Sequence, residues 1–302
     1  SCPCKATEPR KGTSFMDLCN INQIKGLLRR HGFRFSKSMG QNFLINPDIP
    51  YNIAEASGAD ETCGVLEIGP GIGPLTQQLA QRAGRVVAVE LDTALLPILQ
   101  ETMAEYDNVT IRHGDILKQN LPELVAEVFD GLTPMVCANL PYNITTPVLT
   151  ALLESQQFSA ITVMIQREVA KRICAQPGTS DYGAFSLYCQ YHAQCELLFE
   201  VPPDCFIPAP KVTSAVIRLT PTQQPPVAVS DEGFLFRVVR AAFSMRRKTL
   251  ANGLANGFSG QLTKGKITEL IQSCGFAPTV RGEQLGLAEF AQLADAIQGA
   301  LG

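Results

Sequence analysis

The residues best suited to carry chemistry form the tetrapeptide Asn139-Leu140-Pro141-Tyr142, which follows an apolar run over residues 135–138. The run predicts a buried strand, and Pro141 ends it because proline cannot donate a hydrogen bond to a strand ladder. The strand end then presents an amide, backbone carbonyls and an aromatic ring. Such a ring can stack on a flat base while the amide oxygen accepts from its exocyclic amine. A strand that ends in a proline turn with a packed tyrosine is the competing interpretation.

Three earlier apolar runs end in small or acidic residues. Gly69 and Gly71 follow the first run, Glu90 ends the second, and Asp115 follows the third. Glycines let a backbone turn tightly beside a ligand, and a carboxylate at the second strand end can accept both hydroxyls of a ribose. The Asp115 carboxylate, after the third run, can accept a hydrogen bond from an adenine amine. Each residue alone also fits a structural role, but their order predicts a site for an adenosine-containing ligand.

The glycine segment argues against a dinucleotide. Counted from Gly69, the sixth position of the pattern Gly-x-Gly-x-x-Gly/Ala is Pro74, so that fingerprint fails. The segment also lacks a phosphate-binding lysine motif. An adenosine ligand without a pyrophosphate is therefore expected, and S-adenosylmethionine fits. A dehydrogenase is disfavoured by Pro74 and by the lack of a candidate catalytic histidine near a second binding site.

Strand and helix patterns alternate through the part of the chain that must position these residues. Strand-like runs lie at 65–68, 85–90, 109–112, 135–138 and 161–165. Helical spacing is seen at 74–83, 93–106, 121–128 and 145–154. This order predicts an α/β fold with a Rossmann-like, mostly parallel sheet and helices on both faces. Two further runs, 196–201 and 212–219, predict an antiparallel hairpin at one edge of that sheet.

The 302 residues favour two domains. We expect residues 1–16 to be an N-terminal extension, disordered or a tag, and residues 17–220 to be the catalytic domain. A proline-rich stretch at 221–230 predicts a linker. Residues 231–302 show only helical periodicity and predict a small all-helical C-terminal domain.

Charge is unevenly distributed although the formal net charge is only −3. Residues 1–40 carry a net +6, residues 41–230 a net −11, and residues 231–302 a net +2. A polyanionic partner would therefore touch the basic flanks, unless these are merely solvated helix faces. The 10 scattered cysteines without a Cys-x-x-Cys pair indicate free thiols in a reducing cytosol, and no metal site is expected. No apolar run is long enough to span a bilayer, so we expect a soluble protein, and the free thiols favour a cytoplasmic one.

Several motifs together resemble the ribosomal RNA adenine N6-dimethyltransferases. Within that family the resemblance is to the branch that dimethylates two adjacent adenosines in the 3′-terminal hairpin loop of bacterial small-subunit (16S) rRNA. The motifs that carry the resemblance include Gly40-Gln41-Asn42-Phe43-Leu44, Glu67-Ile68-Gly69-Pro70-Gly71, Val89-Glu90-Leu91-Asp92, Gly114-Asp115, Asn139-Leu140-Pro141-Tyr142, Gln166-Arg167-Glu168, Phe206-Ile207-Pro208 and Arg246-Arg247-Lys248. The resemblance implies the fold of a class I methyltransferase, S-adenosylmethionine as the cofactor, and 16S rRNA in immature 30S particles as the partner of a monomeric enzyme.

The resemblance also implies a role for individual residues. The cofactor-binding residues would be Gln41, Asn42, Leu44, Gly69, Gly71, Glu90, Asp115 and Asn139. The catalytic residues would be Asn139, Leu140, Pro141, Tyr142 and Phe206, with the two aromatic rings on the faces of the target base. Arg246, Arg247 and Lys248 would bind rRNA phosphates.

Two alternatives stay open at this point. One is a resistance-type methyltransferase that modifies an adenosine of large-subunit (23S) rRNA, which shares the fold and most motifs. The other is a largely non-catalytic small-subunit assembly factor, although Glu90, Asp115 and Asn139 are all retained.

Overall fold

The computed structural model describes residues 16–35, 41–245 and 247–302. Its strands are β1 Phe43–Leu44, β2 Cys63–Ile68, β3 Arg85–Glu90, β4 Val109–His113, β5 Thr133–Asn139, β6 Ile161–Gln166, β7 Ala193–Val201, β8 Phe206–Ile207 and β9 Ser214–Pro221. Its helices are α1 Ile21–Arg30, α2 Asp48–Ser57, α3 Pro74–Ala80, α4 Leu96–Thr102, α5 Leu121–Val128, α6 Thr145–Ser155, α7 Arg167–Cys174, α8 Ala184–His192, α9 Glu232–Phe243, α10 Leu250–Gly257, α11 Lys264–Ser273 and α12 Leu287–Leu301.

Seven strands form one sheet in the order β4-β3-β2-β5-β6-β9-β7. The pairs from β4 through β6 are parallel, whereas β9 is antiparallel to both β6 and β7. The predicted mostly parallel sheet with an antiparallel hairpin at one edge is thus confirmed. From β2 the chain builds the sheet first in one direction, through β3 and β4, and then in the other, through β5 and β6. At such a reversal a crevice is expected outside the carboxyl ends of the parallel strands.

Both faces of the sheet are buried by helices. Successive side chains of a strand point to opposite faces, so Leu66 and Ile68 join an apolar cluster with α5 to α8. Val65 joins the cluster on the other face, with α2 and α3. Continuous burial of β2 and of the centre of β5 explains why these strands read as unbroken apolar runs.

A second, two-stranded sheet lies beside the crevice. In it β1 pairs with β8 in antiparallel register, so that Leu44 lies opposite Phe206 and Phe43 opposite Ile207. This pairing joins a segment from the start of the described chain to the loop inside the β7–β9 hairpin. Leu44 and Phe206 are both buried in the cluster that also contains α2 and α3.

Helices α9 to α12 surround a separate apolar cluster, as expected for a helical C-terminal region. That cluster also contains Tyr182, Leu187 and Tyr191, which precede the proline-rich stretch at 221–230. The helical region is therefore packed against α8 and the segment before it. The division at 17–220, 221–230 and 231–302 stays a prediction. The extension predicted over 1–16 lies, except for Met16, outside the described residues.

Some helices differ from the sequence-based expectation. The helices predicted at 74–83 and 93–106 are shorter in the structure, at Pro74–Ala80 and Leu96–Thr102. Asp92 accounts for the later start of the second, because its carboxylate accepts from the Ala94 amide at 2.9 Å and closes a separate turn. Helices α2, α7 and α8 were not predicted. Across residues 16–35, 41–245 and 247–302, no helix is both long and apolar enough to cross a membrane.

Candidate active site

A cleft of about 1130 Å³, which includes space open to solvent, lies at the carboxyl ends of β2, β3 and β5. All the predicted catalytic and cofactor-binding residues line it: Gln41, Asn42, Leu44, Gly69, Gly71, Glu90, Asp115, Asn139, Leu140, Pro141, Tyr142 and Phe206. Those between Gly69 and Tyr142 are brought together because the carboxyl ends of neighbouring parallel strands meet at one edge of the sheet. The others belong to the small β1–β8 sheet or directly precede it: Gln41, Asn42, Leu44 and Phe206. That these residues line one cleft does not assign a role to each side chain, so the individual roles stay predictions.

The loop between β2 and α3 forms the floor of the cleft. Gly69 and Gly71 have φ of 66° and 63°, a left-handed conformation that disfavours any residue with a Cβ. A Cβ at Gly71 would also lie 3.3 Å from the Phe43 ring. The Gly69 amide donates to the Val89 carbonyl at 2.9 Å, which fixes this loop against the end of β3.

Glu90 ends β3 and is only 6% exposed. One carboxylate oxygen accepts from the Asp92 amide at 2.8 Å, and the other from the Gly71 amide at 3.3 Å. Burial raises the pKa of Glu90, and these backbone donors partly offset the rise. Two oxygens fixed in the cleft, with lone pairs left over, are suited to accept from a pair of hydroxyls.

Asp115 follows β4 on the same side of the cleft. Its Oδ1 accepts from the Leu117 amide at 3.0 Å and so caps a short 3₁₀ turn, while its Oδ2 lies 3.9 Å from Lys118 Nζ. The preceding Gly114 amide donates to the Glu90 carbonyl at 3.0 Å. The two acidic residues are thus joined through adjacent strand ends.

The tetrapeptide that follows β5 forms a tightly fixed turn. The Leu140 amide donates to the Met164 carbonyl at 3.1 Å, and the Pro141 carbonyl accepts from the Ile144 amide at 3.2 Å and from Thr145 Oγ1 at 3.3 Å. A Cβ at Gly69 would lie 3.6 Å from the Pro141 ring. The glycine loop and this turn are therefore in close contact.

Two aromatic side chains line the cleft near that turn. Tyr142 is half-buried, and its hydroxyl is 2.6 Å from the buried Ser214 hydroxyl. Burial raises the pKa of Tyr142, and the Ser214 hydrogen bond partly offsets this effect. Phe206 is only 3% exposed because its ring packs in the apolar cluster with Leu44, α2 and α3, so only a small part of the ring faces the cleft.

Glu67 also lines the cleft, although sequence reasoning gave it no role. It is 1% exposed in the middle of the core, and among the described residues its Oε2 has no hydrogen-bond partner. Burial raises its pKa to about 8, and the nearby Glu90 carboxylate adds to the rise. The signal in the sequence was an acidic residue inside an otherwise apolar strand, where carboxyl groups are rarely buried.

The family model for "Ribosomal RNA adenine dimethylase" matches residues 32–292. The chain belongs to this family. A relative in Geobacillus thermodenitrificans, named ribosomal RNA small subunit methyltransferase A, is 48% identical over 93% of this chain and 97% of its own length. A relative of the same name in Streptococcus pneumoniae is 46% identical over 94% of this chain and 99% of its own length.

Two solved structures share the fold of this dimethylase family member. A dimethyladenosine transferase from Plasmodium falciparum has a TM-score of 0.70 at 24% identity, covering 83% of this chain and 95% of its own. The 23S rRNA methyltransferase ErmE has a TM-score of 0.65 at 23% identity, covering 85% and 99%. At this level of identity the likeness is one of architecture. It confirms the predicted Rossmann-like methyltransferase fold.

A basic surface of this rRNA dimethylase family member follows α9, and its residues are not among those that line the cleft. Arg247 and Lys248 are exposed there, and Arg246 lies outside the described residues. The structure adds Arg281, whose guanidinium donates to the Arg247 carbonyl at 3.2 Å. Arg281 is also 3.5 Å from the Glu283 carboxylate. Sequence reasoning missed Arg281 because 34 residues separate it from Arg247.

Proposed function

We propose that this chain uses S-adenosylmethionine to dimethylate N6 of two adjacent adenosines in the 3′-terminal hairpin loop of small-subunit (16S) rRNA. The observation that carries the proposal is that the Asn139-to-Tyr142 turn faces the same cleft as Glu90 and Asp115. An acceptor for a flat amine and a set of acceptors for an adenosine thus share one cavity in a member of the rRNA adenine dimethylase family. Immature 30S particles are the expected substrate.

The cleft fits S-adenosylmethionine by its donor and acceptor pattern. Glu90 offers two fixed, buried oxygens for the ribose hydroxyls, and Asp115 offers an acceptor for the adenine amine. The left-handed glycine loop leaves room for close approach of the ligand, with Gly69 on its floor. Gln41, Asn42 and Leu44 would lie over the methionine end. When bound, the cofactor supplies a methyl group that is already activated by the sulfonium charge.

The acceptor turn would hold the target base. In the first transfer the Asn139 side-chain oxygen and the Leu140 carbonyl would accept from the two N6 hydrogens, which favours a pyramidal nitrogen with its lone pair directed outward. Tyr142 stacks on the base and fixes its plane. Orientation provides much of the rate in such a transfer, so a strong general base is not required at the amine. The nitrogen would become acidic as its lone pair attacks the sulfonium methyl group, and it can lose its proton to water, while the sulfur leaves as a neutral thioether.

Small-subunit rRNA is preferred over 23S rRNA as the substrate. Relatives with 46–48% identity over at least 93% of the chain carry the small-subunit name. The 23S enzyme ErmE is 23% identical, a level that carries only the fold. A non-catalytic assembly factor is disfavoured because Glu90, Asp115 and Asn139 all line the cleft.

Methylation of purified precursor particles tests the proposal. Immature 30S and 50S particles are incubated with S-adenosylmethionine, and modified nucleosides are mapped by mass spectrometry. We expect dimethyladenosine at two adjacent positions in the 30S rRNA, and its loss with Asn139→Ala at an unchanged unfolding temperature. Methylation of 50S rRNA alone would contradict the substrate, whereas near wild-type activity of Asn139→Ala would contradict the acceptor site.

A further inference from the structure

Strand β9 reaches the acceptor turn at its first residue, Ser214. Although 72 residues separate them in the chain, Ser214 Oγ lies 2.6 Å from Tyr142 Oη, and either hydroxyl can donate. Ser214 is fully buried, whereas Tyr142 is half-buried and lines the cleft. The one side chain is thus fixed in the core and the other is open to a ligand.

The position of the Ser214 hydroxyl is set by strand pairing on both sides. Ser214 lies opposite Gln166 of β6 and opposite Val201 of β7. A serine in a strand that is paired on both edges cannot shift without disturbing both neighbours. The hydroxyl is therefore a rigid reference point for any group that bonds to it.

The Tyr142 ring is held at both ends. At its backbone it begins a 3₁₀ turn directly after Pro141, whose carbonyl accepts from the Ile144 amide and from Thr145 Oγ1. At its far end the phenol is held by Ser214. A tyrosine whose backbone alone is fixed can still change its side-chain rotamer. When its hydroxyl is also hydrogen-bonded, a change of rotamer breaks that bond.

We propose that Ser214 is a positioning residue, which holds the Tyr142 ring at the orientation needed to stack on the target adenine. The inference rests on the proposed function, because it assumes that Tyr142 contacts the base. Stacking depends on the plane and offset of the two rings, so a ring free to rotate binds the base in unproductive orientations. Loss of the hydroxyl should therefore reduce the rate of methyl transfer without affecting the cofactor subsite.

The bond to Tyr142 gives the buried Ser214 hydroxyl a hydrogen-bond partner. Buried hydroxyl groups are normally hydrogen-bonded, and here the bond goes to a side chain that lines the cleft. Thr162 on the adjacent strand β6 provides a comparison. It is also fully buried, but its Oγ1 has no hydrogen-bond partner among the described residues.

The test compares Ser214→Ala, Tyr142→Phe and the double variant in steady-state methylation of immature 30S particles. Each single change removes the same hydrogen bond, so we expect similar reductions in kcat/KM, of about 5- to 10-fold, the range of a typical hydrogen bond. The double variant should be no worse than either single variant. The affinity for S-adenosylmethionine should stay within about twofold of wild type in all three, as expected when the cofactor subsite is intact.

Thr162→Val is the matched control for loss of a buried hydroxyl in the same sheet, and it should leave kcat/KM unchanged. Ser214→Thr retains the hydroxyl and should restore most of the activity. Additive losses in the double variant, or a wild-type kcat/KM for Ser214→Ala, would overturn the positioning role.

Tyr142→Ala separates the inference from the proposed function. If Tyr142→Ala keeps wild-type activity, Tyr142 does not stack on the base, and both the acceptor assignment and the positioning role are wrong. If Tyr142→Ala is inactive while Ser214→Ala is normal, stacking stands and only the positioning role of Ser214 is overturned.

Discussion

The Gln41 side-chain amide donates to the Asp92 carboxylate at 2.6 Å and so connects two segments that are 51 residues apart. Asp92 is itself fixed, because its amide donates to Glu90 Oε1 at 2.8 Å and its other oxygen accepts from the Ala94 amide at 2.9 Å. The segment before β1 that carries Gln41 is therefore fastened to the same strand end that positions Glu90. Sequence reasoning gave Asp92 no role.

Breaking this connection should weaken cofactor binding. We expect Gln41→Ala and Asp92→Ala each to raise the Kd for S-adenosylmethionine by about 3- to 10-fold, the effect of one or two partly buried hydrogen bonds. Equilibrium dialysis or calorimetry with the cofactor alone measures this without rRNA. Because both changes remove one shared bond, the double variant should show less than the summed effect. An unchanged Kd in both single variants would show that the connection is incidental.

Glu67 should make stability depend on pH in an unusual direction. Its pKa is raised from the ordinary 4.5 to about 8 in the folded protein, chiefly by burial. Between these values the folded state holds one more proton than the unfolded state, so this group's contribution to stability is largest below pH 4.5 and falls as pH rises to about 8.

Replacement by glutamine removes that titration. Glu67→Gln should match the stability of the wild type at about pH 5, where the carboxyl is protonated, and should be more stable at about pH 9, by up to a few kcal/mol. Urea unfolding of the full chain at a series of pH values measures the difference. If the free energies of unfolding of the two proteins changed in parallel with pH across this range, the Glu67 carboxyl would not be buried as the structure has it.

The sequence predicted the cleft better than the elements around it. Glu90, Asp115 and Asn139 could be placed together because parallel strands deliver their carboxyl ends to one edge, whatever the exact length of each element. Ser214, Asp92 and Arg281 were missed because each acts through a partner 34 or more residues away. Such a pairing depends on register and packing rather than on local pattern.

The helices illustrate the same limit. Helix α12, at Leu287–Leu301, lies in the region predicted to be helical, since it begins directly after Gly286 and apolar residues recur along it at helical spacing. Helix α7 carries charged residues at four of its eight positions and buries only Ala170 and Ile173. Its apolar and charged residues do recur at helical spacing, but eight residues are too few to form a stable helix alone, and packing against α8 supplies the missing stability.

The basic surface should bind rRNA phosphates through Arg247, Lys248 and Arg281. We expect Arg247→Ala and Arg281→Ala to weaken binding of 16S rRNA fragments and to make the salt dependence shallower, by about 0.7 to 0.9 in the log–log slope for each phosphate that is no longer neutralised. Filter binding over a range of potassium chloride concentrations gives both quantities. Lys264→Ala removes an exposed positive charge elsewhere in the same helical region and is the matched control. Equal effects from all three variants would indicate only bulk charge.

The packing between α9 and α10 should tolerate no added side chain at Gly253. A Cβ there would lie 2.7 Å from the Ala241 carbonyl oxygen and 3.0 Å from that of Ala242, and backbone atoms cannot move aside cheaply. Gly253→Ala should therefore lower the free energy of unfolding by about 1 to 3 kcal/mol, despite the better helix propensity of alanine.

Gly26 in α1 is the control for the propensity effect alone, since a Cβ there would have no atom within 4 Å. Gly26→Ala should raise the free energy of unfolding by up to about 1 kcal/mol. Urea unfolding of both variants, followed by circular dichroism, distinguishes the cases. If both substitutions stabilised the chain equally, a Cβ at Gly253 would meet no obstacle. The backbones of α9 and α10 would then lie farther apart than the structure has them.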